Sequence, residues 1–337
     1  MSNEFPIEVF HVSGSNYEMG FEIGSHFKQK IKRFVESSET LKSIRGNLNE
    51  RKHKELIEIA NKHFHLYMEE IRGISEGSGI DYNDLILLNF KYEYPTIGCS
   101  TVIFKDKDRI VLGHNEDGER ENENNAFILV AKPDKGTPFL VYCYPGMIPG
   151  NAFSFNSRGI VMTGNAMPTP DPILGIPRHL IDRSMLEASS IEDALDLALL
   201  PERASGFSYN IVSLNEKRAV NLETTSRMYY VTEVEDRFFH TNHYVSTGLR
   251  GIVQRVSESS RIRYEHGVKM MSNGEGAPEK RILEILYSTL NEPNSIYNPW
   301  TLCTAIFDVS DDIHLTVYAR KERNCKPIEF STEIFDM

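Results

Sequence analysis

The chain has no uninterrupted run approaching the roughly 18 apolar residues of a membrane span, so nothing in it reads as a transmembrane helix. Its opening residues, Met1-Ser2-Asn3-Glu4-Phe5-Pro6, carry neither a basic region nor an apolar core, and the expectation is a cytoplasmic protein. Positive charge is scarce: 37 Lys and Arg against 48 Asp and Glu give a formal net charge of −11, which argues against nucleic acid or an anionic membrane as partner. Cysteine is sparse as well. The four, at 99, 143, 303 and 325, are too few to staple 337 residues and show no paired zinc-type spacing, so neither a disulfide scaffold nor a metal is expected. No internal repeat or low-complexity linker interrupts the chain.

What is there is the composition of a soluble globule, 40% hydrophobic and 25% charged, on a chain long enough for one large α/β domain or two smaller ones. Apolar positions recur at helical spacing over 16–36 and 51–73, and Asp81-Tyr82-Asn83-Asp84 forms a capping pattern ahead of Leu85-Ile86-Leu87-Leu88. After residue 99 the pattern turns to short β runs. Thr101-Val102-Ile103-Phe104, the turn at 105–108 and Arg109-Ile110-Val111-Leu112 read as a hairpin. Further strands are expected near 127–132, 137–144, 159–164, 209–214, 218–223, 228–233, 302–308 and 313–319, with helices at 178–188, 191–200 behind the cap Ser190, 260–271 and 278–290. Hairpin-linked strands with helices inserted in blocks predict layered sheets covered by helices.

The chemistry centres on Gly98-Cys99-Ser100. A glycine lacks the Cβ that forbids most backbone conformations, so Gly98 suits a junction at which the Cys99 thiol attacks the carbonyl just before it. Hydrolysis of the resulting thioester frees an α-amine on Cys99, whose ordinary pKa of about 7.7–8.0 lets it take the proton of its own thiol near neutral pH. The bland alternative is a packing cysteine, the reading that Cys143 and Cys303 receive within their strand-like runs, while Cys325 sits among charged neighbours. What favours chemistry at Cys99 is the company the hairpin brings: it returns Gly113-His114-Asn115-Glu116-Asp117 beside the nucleophile, with Asp117, Asn115 and His114 as groups to orient the new amine. A third polar run, His240-Thr241-Asn242-His243-Tyr244, follows a strand-like segment, and Asn242 there is placed to donate its amide to an oxyanion. His240 and His243 do not make a zinc pair, since i and i+3 in an extended segment face opposite sides.

Together, Gly98-Cys99-Ser100, the run ending in Asp117, Asn-Leu-Glu-Thr-Thr at 221–225 and the 240–244 run resemble the acyl-coenzyme A:6-aminopenicillanic acid acyltransferase family of self-cleaving N-terminal-nucleophile enzymes, as does the opening Val12-Ser13-Gly14-Ser15 ahead of a Gly20 to Gly24 helix start. The resemblance implies an α+β fold, a four-layer αββα sandwich, with a helical segment 1–98 and a catalytic segment 99–337 that stay together as one unit after cleavage. It implies Cys99 as nucleophile, Asp117 as assisting maturation or orienting the amine, and the Asn242 side chain as oxyanion donor. The related bile-salt and penicillin V acylases add two matches: the strand Gly159 to Asn165, whose Asn165 backbone amide would complete the oxyanion hole, and Ser257 to Arg261, which makes Arg261 a further candidate. Where fungal acyltransferases place an aromatic residue inside the Asn-x-Asp motif this chain has Glu116, which counts against penicillin specificity. The implied activity is hydrolysis or transfer at the acyl–nitrogen bond of a small N-acyl compound, with no cofactor and with a coenzyme A thioester as a co-substrate the chemistry allows; the lack of an evident coenzyme A cradle tilts the reading to hydrolysis. The implied partners are the small substrate, the cleaved fragments paired as a heterodimer, and further copies of the chain in a homo-oligomer. A bile-salt or penicillin V acylase would carry its nucleophile close to the chain start, whereas 98 residues precede Cys99; a non-catalytic protein keeping the fold as a binding module is the other alternative. The run Tyr144 to Pro149 with Phe153 is a candidate acyl pocket, and the acidic stretch from Glu116 to Asn125 a candidate border to its entrance.

Overall fold

Two periodicities alternate along this chain, and the computed structural model, which describes residues 6–46, 49–90, 98–272, 276–320 and 325–336, resolves them into helical and β blocks. Strand β1 (Glu8–Gly14) runs into α1 (Asn16–His26) through Ser15, whose hydroxyl and the Glu18 carboxylate form a reciprocal capping box. The expected helix over 16–36 divides at Phe27 into α1 and α2 (Lys28–Ser37). Then follow α3 (Glu39–Gly46), the long α4 (Glu50–Ser78), kinked at Phe64, and α5 (Tyr82–Asn89), capped by Asp81 as its sequence predicts. The approach to the junction, 91–97, lies outside the described residues.

The hairpin is present as β2 (Ser100–Lys105) and β3 (Ile110–Asp117). After it come β4 (Phe127–Pro133), β5 (Phe139–Cys143), β6 (Ser154–Asn156), β7 (Ile160–Ala166), α6 (Arg178–Met185) and α7 (Ile191–Ala198). The rest is β8 (Phe207–Ser213), β9 (Arg218–Thr224), β10 (Tyr229–Glu233), β11 (Arg237–His240), α8 (Glu258–Ser272), α9 (Pro278–Leu286), β12 (Thr301–Val309), β13 (Ile313–Ala319) and β14 (Ile328–Ser331). Four elements have no counterpart in the sequence reading: β1, α3, β6 and β14. The three strands are short or only half covered, so their apolar alternation is weak.

The fold is α+β with two sheets. One has strand order β1-β4-β5-β6-β7-β8-β9-β10, and the other β11-β2-β3-β12-β13-β14. Side chains alternate across β2 and β3, and both faces are packed. Val102 and Val111 meet Ile282, Ile285 and Leu286 of α9, while Ile103 and Leu112 enter the large core with Val141, Phe155, Val161 and Ile211 of the other sheet. That alternation decides the site, because residues 99–101 and 113–117 continue the same two faces. Among the first 90 residues, α1 and α4 cross in close contact. A Cβ on Gly20 would stand 2.1 Å from the Glu70 carbonyl oxygen, and one on Gly73 2.2 Å from that of Tyr17, so these positions admit only glycine. At the crossing, Asn16 Nδ2 (2.7 Å) and Arg183 Nε (3.1 Å) both donate to the buried Glu70 carboxylate, tying the helical block to α6. Asn89, at the end of α5, donates to the Gly146 carbonyl (3.0 Å) and accepts from the Ile148 N–H (2.8 Å), fixing the 144–149 loop over the start of β2. Among the described residues no helix is long and apolar enough to cross a membrane.

Candidate active site

Cys99 immediately precedes β2 and is buried, and its sulfur is addressed from both residues at the end of β3. The backbone N–H of Asp117 donates toward Sγ, and the thiol donates to Glu116 Oε2 at 3.8 Å. Burial pushes the thiol well above its ordinary pKa, and the charges of Glu116 and Asp117 push the same way; the Asp117 N–H and the Arg263 guanidinium oppose them. Glu116 is itself held, with the Tyr144 hydroxyl donating to Oε1 (2.5 Å) and His114 Nε2 facing Oε2 at 3.0 Å. The other ring nitrogen of His114 meets Thr101 Oγ1 at 2.8 Å. Cys99, His114 and Glu116 are the one set among the described residues whose ligand-type atoms converge within 4.8 Å as a metal would require. Their hydrogen bonds with one another and to Tyr144 and Thr101 read as a polar relay on the face of the six-stranded sheet turned toward the other sheet.

On the opposite face, Asp117 accepts from Asn298 Nδ2 (2.7 Å) and Thr301 Oγ1 (2.8 Å). Burial raises its pKa to about 6, although the Arg263 charge and these two hydrogen bonds lower it. Arg263, on α8, is the hub: Nη1 donates to the Cys99 carbonyl and to Ser100 Oγ, both at 2.9 Å, and Nη2 donates to Asn242 Oδ1 at 2.7 Å. Asn242 Nδ2 in turn donates to the Ala166 carbonyl at the end of β7 (3.0 Å). The amide lies against Gly98, where a Cβ would fall 2.2 Å from both Cγ and Nδ2. The glycine is therefore required by the space Asn242 occupies.

Asn242 is held from two sides. Ser260 Oγ accepts its backbone N–H (2.9 Å). Glu223, from the 221–225 motif, accepts from His240 Nε2 (2.8 Å) and from the N–H groups of Val245 (2.8 Å) and Ser246 (3.1 Å), which folds the 240–246 segment back on itself. His240 and His243 are thus spent separately, His240 on Glu223 and His243 on Ser260 Oγ (2.8 Å). Burial, with the nearby His240 charge, lowers the His243 pKa to about 4.

Of the residues that the sequence singles out, the structure brings Gly98, Cys99, His114, Asp117 and Asn242 together. It does not bring Arg261: that side chain is exposed and pairs with Glu265 (3.0 Å). Two positions along a helix turn about 200°, so the face that carries Ser259, Ser260 and Arg263 inward carries Arg261 outward. Asn115 is also elsewhere. Its amide donates to the Leu286 and Ile296 carbonyls and accepts from Thr304 Oγ1, so it ties β3 to the end of α9 instead of orienting an amine. The Asn165 side chain joins Thr101 (3.0 Å) and Asn210 (2.9 Å) between the sheets, and its neighbours Gly164 and Ala166 border the cavity. Sequence reasoning missed Arg263, Thr301, Asn298 and Ser260. Arg263 stands three residues after Ser260 and four after Ser259, a helical-face spacing that could have marked it.

A cavity of about 110 Å³ opens on Cys99, lined among others by Glu116, Asn122, Tyr144, Met147, Asn151 and Phe207. Tyr144 and Met147 of the expected acyl pocket do line it, whereas Phe153 is buried against Tyr142 behind it. Cys143 and Cys303 are buried strand residues.

The sequence profile of the acyl-coenzyme A:6-aminopenicillanic acid acyl-transferase family matches residues 104–327, about two thirds of the chain. The chain belongs to this family. The matched span holds Glu116, Asp117, Asn165, Asn242 and Arg263, and it begins five residues after Cys99. Among relatives, the β-alanyl-dopamine/carcinine hydrolase of Drosophila melanogaster is 29% identical over 216 residues, 56% of each chain. The 40 kDa form of the acyl-coenzyme A:6-aminopenicillanic-acid acyltransferase of Emericella nidulans is 27% identical over 257 residues, 70% of this chain and 69% of the relative. The chain thus spans little more than half the length of the Drosophila family member. One relative is named as a hydrolase and the other as an acyltransferase.

Proposed function

We propose that this family member is a self-cleaving cysteine amidohydrolase, an αββα N-terminal-nucleophile enzyme that acts on small N-acyl compounds. The observation that carries the reading is the hub at Arg263: one guanidinium bonds both the Cys99 carbonyl and Asn242 Oδ1, so the nucleophile and the amide beside it are set by one rigid group. In maturation the Cys99 sulfur bonds the Gly98 carbonyl carbon, the carbon–nitrogen bond to Cys99 breaks, and the thiol proton goes to that nitrogen; water then hydrolyses the thioester. The N–H of Asn242 Nδ2 not given to Ala166 is the donor for the oxyanion of each tetrahedral intermediate, a role for which one such donor contributes a factor of about 100 to 1000 in rate. In turnover the new α-amine takes the thiol proton, Sγ attacks the substrate carbonyl, and the ammonium returns the proton to the leaving amine. Water, or a second amine, receives the acyl group.

The relatives support the class of bond, since one is named for hydrolysing β-alanyl-dopamine and carcinine and the other for acylating 6-aminopenicillanic acid. Denaturing electrophoresis with N-terminal sequencing tests the reading. Wild-type chain is expected as fragments of about 11 and 27 kDa, in proportion to 98 and 239 of the 337 residues, the larger beginning at Cys99, and Cys99→Ala as one inactive piece. A wild-type chain that stays whole on long incubation and releases no amine from N-acyl amines would sink it.

A further inference from the structure

We propose that Glu116 is the receptor for a protonated amine on the acyl part of the substrate, which makes short aminoacyl amides the preferred substrate class. The inference rests on the amidase reading above. Glu116 Oε2 stands 3.8 Å from the nucleophilic sulfur and borders the cavity. An acyl carbon bonded to Sγ carries its chain past this carboxylate, and an amine on the first or second carbon beyond the carbonyl comes within the 2.7–2.9 Å of a charge-assisted hydrogen bond. A carboxylate offers about four lone-pair sites. Tyr144 occupies one on Oε1 and His114 faces Oε2, which leaves room for a further donor.

Two independent features of the cavity point to the same ligand. Asn122, only 6% exposed, and Asn151 both line it, and the Oδ1 of each is a buried acceptor with no partner among the described residues. Buried polar groups are as a rule satisfied, so two unpaired acceptors on residues that line the cavity leave hydrogen-bonding capacity there for a donor. The balance of charge agrees. Glu116, Asp117 and Glu119 border the space, while among the described side chains the one arginine there, Arg178, is engaged by Asp182 at 2.5 Å. An ammonium at Glu116 also relieves the carboxylate's opposition to ionisation of Cys99, so such a substrate helps to form the thiolate that attacks it.

The test compares 4-nitroanilides of 3-aminopropanoic and butanoic acid, which differ by ammonium for methyl, on the full chain. Wild type is expected to prefer the aminoacyl anilide in kcat/KM by about 100-fold, and Glu116→Gln to bring the ratio near one. The ratio cancels any loss of folded or matured enzyme. Should Glu116→Gln fail to fold, Asn122→Leu is expected to lower the ratio by about 10-fold. A ratio near one in the wild type overturns the proposal, and so does a ratio that these variants leave unchanged, the result if Glu116 serves the Cys99 amine instead. Calorimetry on full-length Cys99→Ala separates this from the amidase reading. Tighter binding of the aminoacyl anilide, lost with Glu116→Gln, supports the assignment even if neither anilide is hydrolysed, an outcome that would fall on the amidase reading alone; equal binding overturns it.

Discussion

Substituting alanine for Gly98 should expose how the junction is built. The new Cβ would lie 2.2 Å from Asn242 Cγ and Nδ2 and 2.4 Å from Oδ1. Ordinary contact starts near 3.4 Å, so the amide has to retreat by about 1 Å. Its bonds to Arg263 (2.7 Å) and Ala166 (3.0 Å) would then stretch to roughly 3.7–4.0 Å, outside hydrogen-bond range. The Arg263 bond is charge-assisted, worth about 1.5–3 kcal/mol, and the other about 1 kcal/mol. A destabilisation of roughly 2–4 kcal/mol follows. A double-mutant cycle with Asn242→Gly, measured by urea unfolding in a Cys99→Ala background so that every chain stays whole, isolates the contact. Once the Asn242 side chain is gone, Gly98→Ala should cost little, leaving a coupling of about 2 kcal/mol or more. A coupling under about 0.5 kcal/mol would show that Asn242 does not require the glycine, and the steric account would be wrong.

The two arginines of α8 should part sharply. Arg263→Ala leaves Asp117 buried without its cation and should lose about 3–5 kcal/mol in thermal or chemical unfolding, together with activity. Arg261→Ala, which breaks only an exposed pair with Glu265, should shift stability by less than about 0.5 kcal/mol. Asp117 gives a pH signature. Its folded pKa, about 6, lies above the ordinary 3.8, so its contribution to stability is full below pH 4 and declines as pH rises toward 6, by at most about 3 kcal/mol. Comparing wild type with Asp117→Asn over pH 4–7 should show the wild type losing stability relative to the variant across that window, and a constant difference would refute the assigned shift. Asp182, also raised by burial to about 6, is present in both chains and cancels.

Much of this fold is written locally. The Asp81 and Ser190 caps, the hairpin before Gly113 and the strands around Val141 and Tyr209 follow from patterns spanning a few residues, and they stand where those patterns predict. What local pattern does not encode is partnership. β1 pairs in parallel with β4, Glu8 opposite Phe127, across 127 − 8 = 119 residues, and nothing in the sequence of either strand names the other. The same limit governs the site. Cys99, Asp117 and Asn242 were legible because motifs mark them, yet β3 is buried on both faces, so alternation alone does not tell which face meets Cys99. Asn115 falls on the α9 face and Glu116 on the cavity face, the reverse of their expected importance. Arg261 and Arg263 differ only in which side of α8 docks, a fact of tertiary packing.

The reach of Arg263 also sets a timetable. The guanidinium that grips the Cys99 carbonyl is translated 164 residues after Cys99 itself. Until α8 has emerged and docked, Cys99 is an ordinary cysteine in an unfinished chain, with neither its carbonyl nor the Asn242 amide fixed. A scission that depends on that grip cannot precede the docking of α8. If the chain cleaves itself as proposed, each severed molecule bears a permanent mark that synthesis and folding both ran past residue 263.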